Sequence, residues 1–206
     1  MSIFFPMNIL LATSNTHKRD EFARILTDHA LFLPSELGLT FDFEESADTF
    51  TVNALGKALS LLPCVPEGYA ILADDSGVCV DALGGGPGVR TARYGLEEHG
   101  RLLEAGERNA FLLKNLEHCT TQEGRRARFV CALALVLTEH RVYTISETVE
   151  GTITFEPDGH AGFGYDPVFY VGEAGSTMAA LNEGDKDLYS HRGRATRLLN
   201  TVLKEI

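Results

Sequence analysis

The chain is poor in positive charge. Its 18 Lys and Arg stand against 29 Asp and Glu, a net charge of -11 with a pI near 5.0. A protein that grips duplex nucleic acid presents a basic face to the phosphates, so this balance argues against that partner. A small anion is still allowed, because a few cations focused in one cleft can hold it against the overall sign. Cysteine is sparse too. Cys64, Cys79, Cys119 and Cys131 form no C-x-x-C pair, and two of them lie in apolar strand patterns. This usage reads as reduced, mostly structural thiols in a cytoplasmic (cytosolic) protein. No apolar run approaches the length of a membrane span. The N-terminus has no basic stretch and carries Pro6 inside its apolar segment, which argues against a signal peptide. Residues 1–6 read as a short extension before the first strand. No repeat, low-complexity tract or linker is visible. The 206 residues, 44% hydrophobic and 23% charged, are therefore expected to form one domain, 1–206, with one core or two lobes sharing one.

Missing motifs narrow the chemistry further. There is no G-x-x-x-x-G-K-[ST], so this is not a P-loop NTPase. The Gly84-Gly85-Gly86-Pro87-Gly88 loop lacks the dinucleotide-binding spacing and follows no strand–helix junction. No G-x-S-x-G and no Cys/His pairing offers a covalent nucleophile. No His/Cys cluster has zinc spacing.

What is present centres on residues 73–95. The apolar run Tyr69–Ala73 meets two adjacent acids, Asp74-Asp75, followed by Ser76-Gly77, an alternating strand pattern over 78–83 and the Gly/Pro loop. Adjacent carboxylates repel in a partly dry site unless a cation sits there or one stays protonated. Asp-Asp-Ser-Gly is also good turn chemistry. From this stretch alone, metal site and hairpin turn both remain open.

Elsewhere, Asn8–Thr13 reads as a buried strand running through Ser14-Asn15-Thr16-His17-Lys18 into a helix to about Asp28. A strand, a short polar turn and a helix aim free backbone N–H groups at an anion. Lys18 opposes the helix dipole there, and a bound anion would explain its place. Leu39–Phe43 reads as a second strand ending in Glu44-Glu45. Asp48 is the expected N-cap of a helix over 49–62, with Asn53 and Lys57 four apart on one face. A helix over 97–119, broken at Gly100 or Gly106, precedes strand patterns at 125–137, 141–149 and 151–155. Helices early and hairpins late predict an α/β fold with a mixed sheet. Glycines flank aromatics in Gly162-Phe163-Gly164-Tyr165-Asp166, where backbone could approach a ligand and a ring could stack on a base. Lys186 lies on a short helix. Ser190 is expected to cap a last helix with Ala195, Leu198, Leu199, Val202 and Leu203 on its apolar face. His191 and Arg192 in its first turn again point to an anion. The simplest ligand for these cations and acids is a nucleotide with several phosphates and a divalent cation, Mg²⁺ or Mn²⁺. A metal-activated water, with a carboxylate taking its proton, then suits attack on phosphorus.

Five blocks carry a family resemblance: Thr13-Ser14-Asn15-x-x-Lys18, Ala73-Asp74-Asp75-Ser76-Gly77, the glycine loop with Ala92-Arg93-Tyr94, Gly162–Pro167 and Ser190-His191-Arg192-Gly193. In this order, across residues 8–203, they resemble the inosine triphosphate pyrophosphatases (XTP/dITP diphosphatases). The resemblance implies hydrolysis of non-standard purine nucleoside triphosphates to monophosphate and pyrophosphate, Mg²⁺ dependence, a homodimer, and an elongated α/β fold with the site in a cleft between two lobes. It makes Asp75 the general base and a metal ligand, with Glu45 sharing the metal. Thr13, Ser14, Asn15, Thr16, His17, Lys18, Lys57, Ser76 and Lys186 would hold phosphates and sugar. Phe163, Gly164, Tyr165, Asp166, His191 and Arg192 would hold the base. Two positions depart from the family pattern: Ser14 replaces a Gly, and Val52 replaces a Glu in the Thr-Phe-x-Glu-Asn-Ala motif. The alternatives are a non-catalytic nucleotide sensor and a related pyrophosphatase for other nucleotides.

Overall fold

The computed structural model describes residues 6–206. The extension expected over residues 1–6 lies, apart from Pro6, outside them. Strand β1 (Asn8–Leu11) leads into helix α1 (Thr16–Ile25), then strand β2 (Ala30–Phe32). Helix α2 (Phe50–Leu61) precedes the long strand β3 (Tyr69–Val80). Helices α3 (Leu96–His99) and α4 (Ala105–Asn115) follow, then strands β4 (Arg126–Thr138) and β5 (Arg141–Ile153). Strands β6 (Phe169–Val171) and β7 (Ser176–Thr177) and helices α5 (Glu183–Tyr189) and α6 (His191–Leu203) complete the chain.

The strands form one mixed sheet in the order β2-β1-β3-β4-β5-β6-β7. β1 pairs parallel with both β2 and β3, the arrangement helical crossovers produce, whereas β5-β6 and β6-β7 are antiparallel. The chain divides into two compact units, and the divisions fall inside β3, β4 and β5 and after the first residue of α6. Among the described residues, the first unit comprises 6–75, 131–147 and 192–206. It holds two apolar clusters. One gathers Ile9, Leu11, Phe22, Leu133 and Leu199, and the other Leu10, Ala54, Ala58, Ile71 and Val136. The second unit, residues 76–130 and 148–191, is built on Val78, Val80, Leu112, Phe129, Val149 and Phe169.

Several expected elements are corrected. Residues 39–43 form no strand, because the place beside β1 is taken by Ala30–Phe32; Leu39 and Phe41 instead pack against the second apolar cluster of the first unit. β3 does not stop at Asp74-Asp75 but runs through both, so the hairpin-turn reading fails. Residues 141–153 are one strand, not two. Helix α1 ends at Ile25, short of Asp28. The cap of α2 is Thr49, whose hydroxyl accepts from the Val52 N–H at 3.3 Å; it is not Asp48. The 97–119 helix breaks at Gly100, whose backbone has φ +66°, while Gly106 lies inside α4. On α6, Ala195, Leu199 and Leu203 are buried, but Leu198 is 46% exposed.

Candidate active site

In the first unit, β1 hands the chain to α1 through a capped turn. The Thr13 hydroxyl accepts from the Asn15 N–H at 3.1 Å. Asn15 Oδ1 then accepts from the N–H groups of His17 (2.9 Å) and Lys18 (3.4 Å), an N-cap. The expected row of free N–H groups is therefore partly used up by Asn15 itself. Ser14, Thr16 and His17 are exposed, and Lys18 is half-buried.

Lys18 donates to Asp74 Oδ1 at 3.0 Å. The other Asp74 oxygen accepts from Arg192 Nη2 (2.9 Å) and Nε (3.3 Å), and Arg192 Nη1 donates to Glu21. Asp74, Glu21 and Arg192 are all buried. Burial alone would raise the Asp74 carboxyl, but the charges of Lys18, Arg192 and Lys57 outweigh it and hold Asp74 far below the usual carboxylate range. Burial would likewise favour neutral Arg192, and Asp74 and Glu21 overrule it. These pairs correct two expectations. Asp74 has protein cations as partners and needs no metal. Arg192, at the start of α6, faces protein carboxylates and needs no bound anion to explain its position.

Asp75 points to the opposite face of β3, as the pleat requires. Its Oδ2 accepts from Asn53 Nδ2 (3.0 Å) and its Oδ1 from Lys57 Nζ (3.2 Å). Asn53 and Lys57 reach it from one face of α2, one turn apart. Lys57 also donates to the Asp74 carbonyl (3.0 Å) and pairs with Glu45. Burial raises the Asp75 carboxyl; Lys57 pulls it down, and Glu45 pushes it up again. Lys57 itself is raised, since its three acidic neighbours outweigh its burial. Asp75 and Glu45 are thus two carboxylates sharing one ammonium, with repulsion left over. That donor set suits a hard divalent cation, which takes one or two protein carboxylates and otherwise binds water and phosphate oxygens.

The second unit contains a separate pinned loop. Asp166 Oδ2 accepts from the Phe163 N–H (2.9 Å) and from Lys186 Nζ (2.7 Å). Gly162 (φ +77°) has no room for a side chain: a Cβ there would lie 2.1 Å from Asp166 Oδ2. The Lys186 ammonium sits 5.0 Å from the centre of the half-buried Phe163 ring. The Gly164 carbonyl accepts from Asn109 Nδ2 at 3.1 Å. Tyr165 is 2% exposed, part of the second unit's core, and its hydroxyl donates to the Thr91 carbonyl at 3.0 Å. Its ring is committed to packing, so any part it plays in binding is through its backbone. His191 is buried and stacked on Phe129, ring centres 4.5 Å apart and nearly parallel. Ser76 is half-buried on β3.

A sequence model of the Ham1 family matches residues 9–202. The chain belongs to the Ham1 family. Among its relatives, the dITP/XTP pyrophosphatase of Treponema denticola is 42% identical over 199 residues, 96% of this chain and 99% of that protein. The dITP/XTP pyrophosphatase of Bacillus subtilis is 39% identical over 197 residues, 95% and 96% of the two chains. The solved HAM1 protein of Coxiella burnetii superposes with a TM-score of 0.84 at 36% identity, covering 97% of this chain and all of its own. The Staphylococcus aureus Ham1 protein gives 0.82 at 35% identity, covering 96% and 98%. The family resemblance and the mixed-sheet α/β fold are thereby established.

Within this Ham1 chain, α1, α2, β3 and the segment preceding α2 bring Lys18, Lys57, Asp75 and Glu45 close to a common anchor, the Asp74-Asp75 pair. Val52 is 56% exposed on the first turn of α2 and adds nothing polar there. Glu21 is not among the residues the sequence analysis points to; its spacing of three from Lys18 on α1 is the available signal. Asn109 carried no signal, since its partner is 55 residues away.

Proposed function

We propose that this chain hydrolyses non-standard purine nucleoside triphosphates, dITP, ITP and XTP, to the monophosphate and pyrophosphate. The supporting observation is the state of Asp75. It is a buried carboxylate with a raised pKa, oriented by Asn53 and Lys57 and placed next to a second carboxylate. A base needs this combination of fixed direction and heightened proton affinity. The relatives' shared name supplies the substrate class.

Asp75 takes the proton of the attacking water. Lys57 and Asn53 hold its two oxygens so that the carboxylate cannot rotate away. Glu45 and Asp75 would hold Mg²⁺ or Mn²⁺, which when bound lowers the pKa of water and offsets phosphate charge. On the family resemblance, Lys18, with the Thr13–His17 turn, Ser76 and Lys186, would receive the phosphates and sugar, and the Phe163–Asp166 loop, with His191 and Arg192, would hold the base. Phe163, whose N–H donates to Asp166, would stack on the purine. Arg192 is 2% exposed and paired twice, so its contribution is to set its neighbours more than to touch the base. A 6-keto purine offers an acceptor where adenine offers a donor; a site built to donate there leaves a group unpaired against adenine. The four cysteines are all free thiols, which suits the cytoplasm. Among the described residues no helix is long and apolar enough to cross a membrane. A homodimer belongs to the same proposal, on the family resemblance.

The test is incubation with dITP, ITP, XTP, ATP and GTP in Mg²⁺, separating pyrophosphate from orthophosphate. Pyrophosphate is expected from the first three and little from ATP, whose 6-amino group is a donor; GTP, which shares the 6-keto group, reports whether the 2-position is read as well. Orthophosphate as the first product would refute the mechanism, and no turnover would favour a nucleotide-binding sensor.

A further inference from the structure

We propose that Glu21 is a positioning residue for Lys18, acting through Arg192 and Asp74. The argument starts from how a guanidinium prefers to meet a carboxylate, with one N–H on each oxygen. Arg192 does not do this. Its Nε and Nη2 both fall on Asp74 Oδ2, at 3.3 and 2.9 Å. Its Nη1 is held at the far side by Glu21 Oε2. Asp74 Oδ1 is left for Lys18 Nζ at 3.0 Å. Glu21 and Lys18 both project from α1, three residues apart, while Arg192 comes from α6 and Asp74 from β3.

The four charges balance, two positive and two negative, in a buried setting where pairing decides geometry. Without the Glu21 charge, Arg192 has one carboxylate where it had two. It then turns onto both Asp74 oxygens, the stronger two-point grip, and competes with Lys18 for Oδ1. Lys18 loses the contact that fixes its ammonium at Asp74. Glu21 therefore sets the direction of a lysine it does not need to touch. The inference rests on the proposed role of Lys18 as a phosphate ligand.

The experiment measures calorimetric binding of inorganic triphosphate, with EDTA present, to the full chain in two backgrounds. Glu21→Gln is expected to weaken binding about tenfold in the native background, the order of one charged hydrogen bond. In the Lys18→Ala background it should weaken binding less than about twofold, because no lysine remains to be placed. Glu21→Asp keeps the charge and should fall between wild type and Gln; it serves the same comparison if Gln does not fold. An equal loss in both backgrounds would mean a general structural effect and overturn the proposal, as would unchanged affinity in folded Glu21→Gln. If Lys18→Ala loses affinity but Glu21→Gln does not, the phosphate role of Lys18 stands and the positioning role alone falls. If Lys18→Ala binds as tightly as wild type, the phosphate role fails and takes the positioning role with it.

Discussion

Replacing Asp74 with Asn tests the buried charge cluster most directly. The side chain keeps its size and one acceptor oxygen. It loses its charge and turns an amide donor toward either Lys18 or Arg192, both of which are donors themselves. Removing one partner of a buried ion pair costs about 3–5 kcal/mol, because the charge left behind stays desolvated. Glu21 still holds one end of Arg192, which places the expected loss toward the lower end of that range. In a chain of this length the melting point would fall by roughly 6–20 °C over the same range. The pH dependence adds a sharper check. The folded pKa of Asp74 lies below its ordinary 3.8, so its stabilisation is fully present above that value and disappears as the pH falls through the folded one. The gap between wild type and Asp74→Asn should therefore be flat near neutrality and narrow once the pH drops below about 3.8. Reversible urea unfolding, followed by circular dichroism across a pH series, measures both. A gap under about 1 kcal/mol at neutral pH, as for an exposed pair, would refute the reasoning. So would a gap that widened in acid.

Asp75→Asn should behave in the opposite way. Burial, then Glu45, raise the wild-type carboxyl against the pull of Lys57, so its ionisation costs stability as the pH rises through the folded pKa. Asn should leave urea stability equal or higher at neutral pH, while turnover of dITP falls about 10²–10⁴-fold. In wild type freed of divalent cations, the Asp75 carboxyl should titrate above the ordinary 3.8 when followed by NMR across a pH series, and titration below it would refute the reading of its surroundings. On α6, Leu199→Ala should cost about 2–5 kcal/mol by emptying a buried position, whereas Leu198→Gln should stay within about 0.5 kcal/mol. Equal costs in denaturation would show that the helix face is misassigned.

Some of this was legible in the linear chain. The β1–α1 junction, the α2 face carrying Asn53 and Lys57, and the long β4 strand follow from spacing that acts within a few residues. The ordered motifs from Thr13 to Gly193 identified the family, since five local patterns in sequence order leave little room for coincidence. Local patterns failed where two segments competed for one place. Leu39–Phe43 has the better strand composition, yet Ala30–Phe32 pairs with β1, and nothing in either segment states which one reaches the sheet edge first.

The Asp74-Asp75 pair shows the division most clearly. The sequence by itself determined that two carboxylates stand next to each other after an apolar run; in the structure β3 runs through both, and its pleat sends them to opposite faces. Their partners were decided by the tertiary structure alone. Lys18 lies 56 residues from Asp74 and Arg192 lies 118 away, so only the packing of α1 and α6 on the sheet could show that Asp74 is neutralised from within. The same packing leaves Asp75 between Lys57 and Glu45 with repulsion unspent. Charge adjacency is written in the chain; charge compensation depends on distance in space, and this fold gives the two aspartates opposite answers.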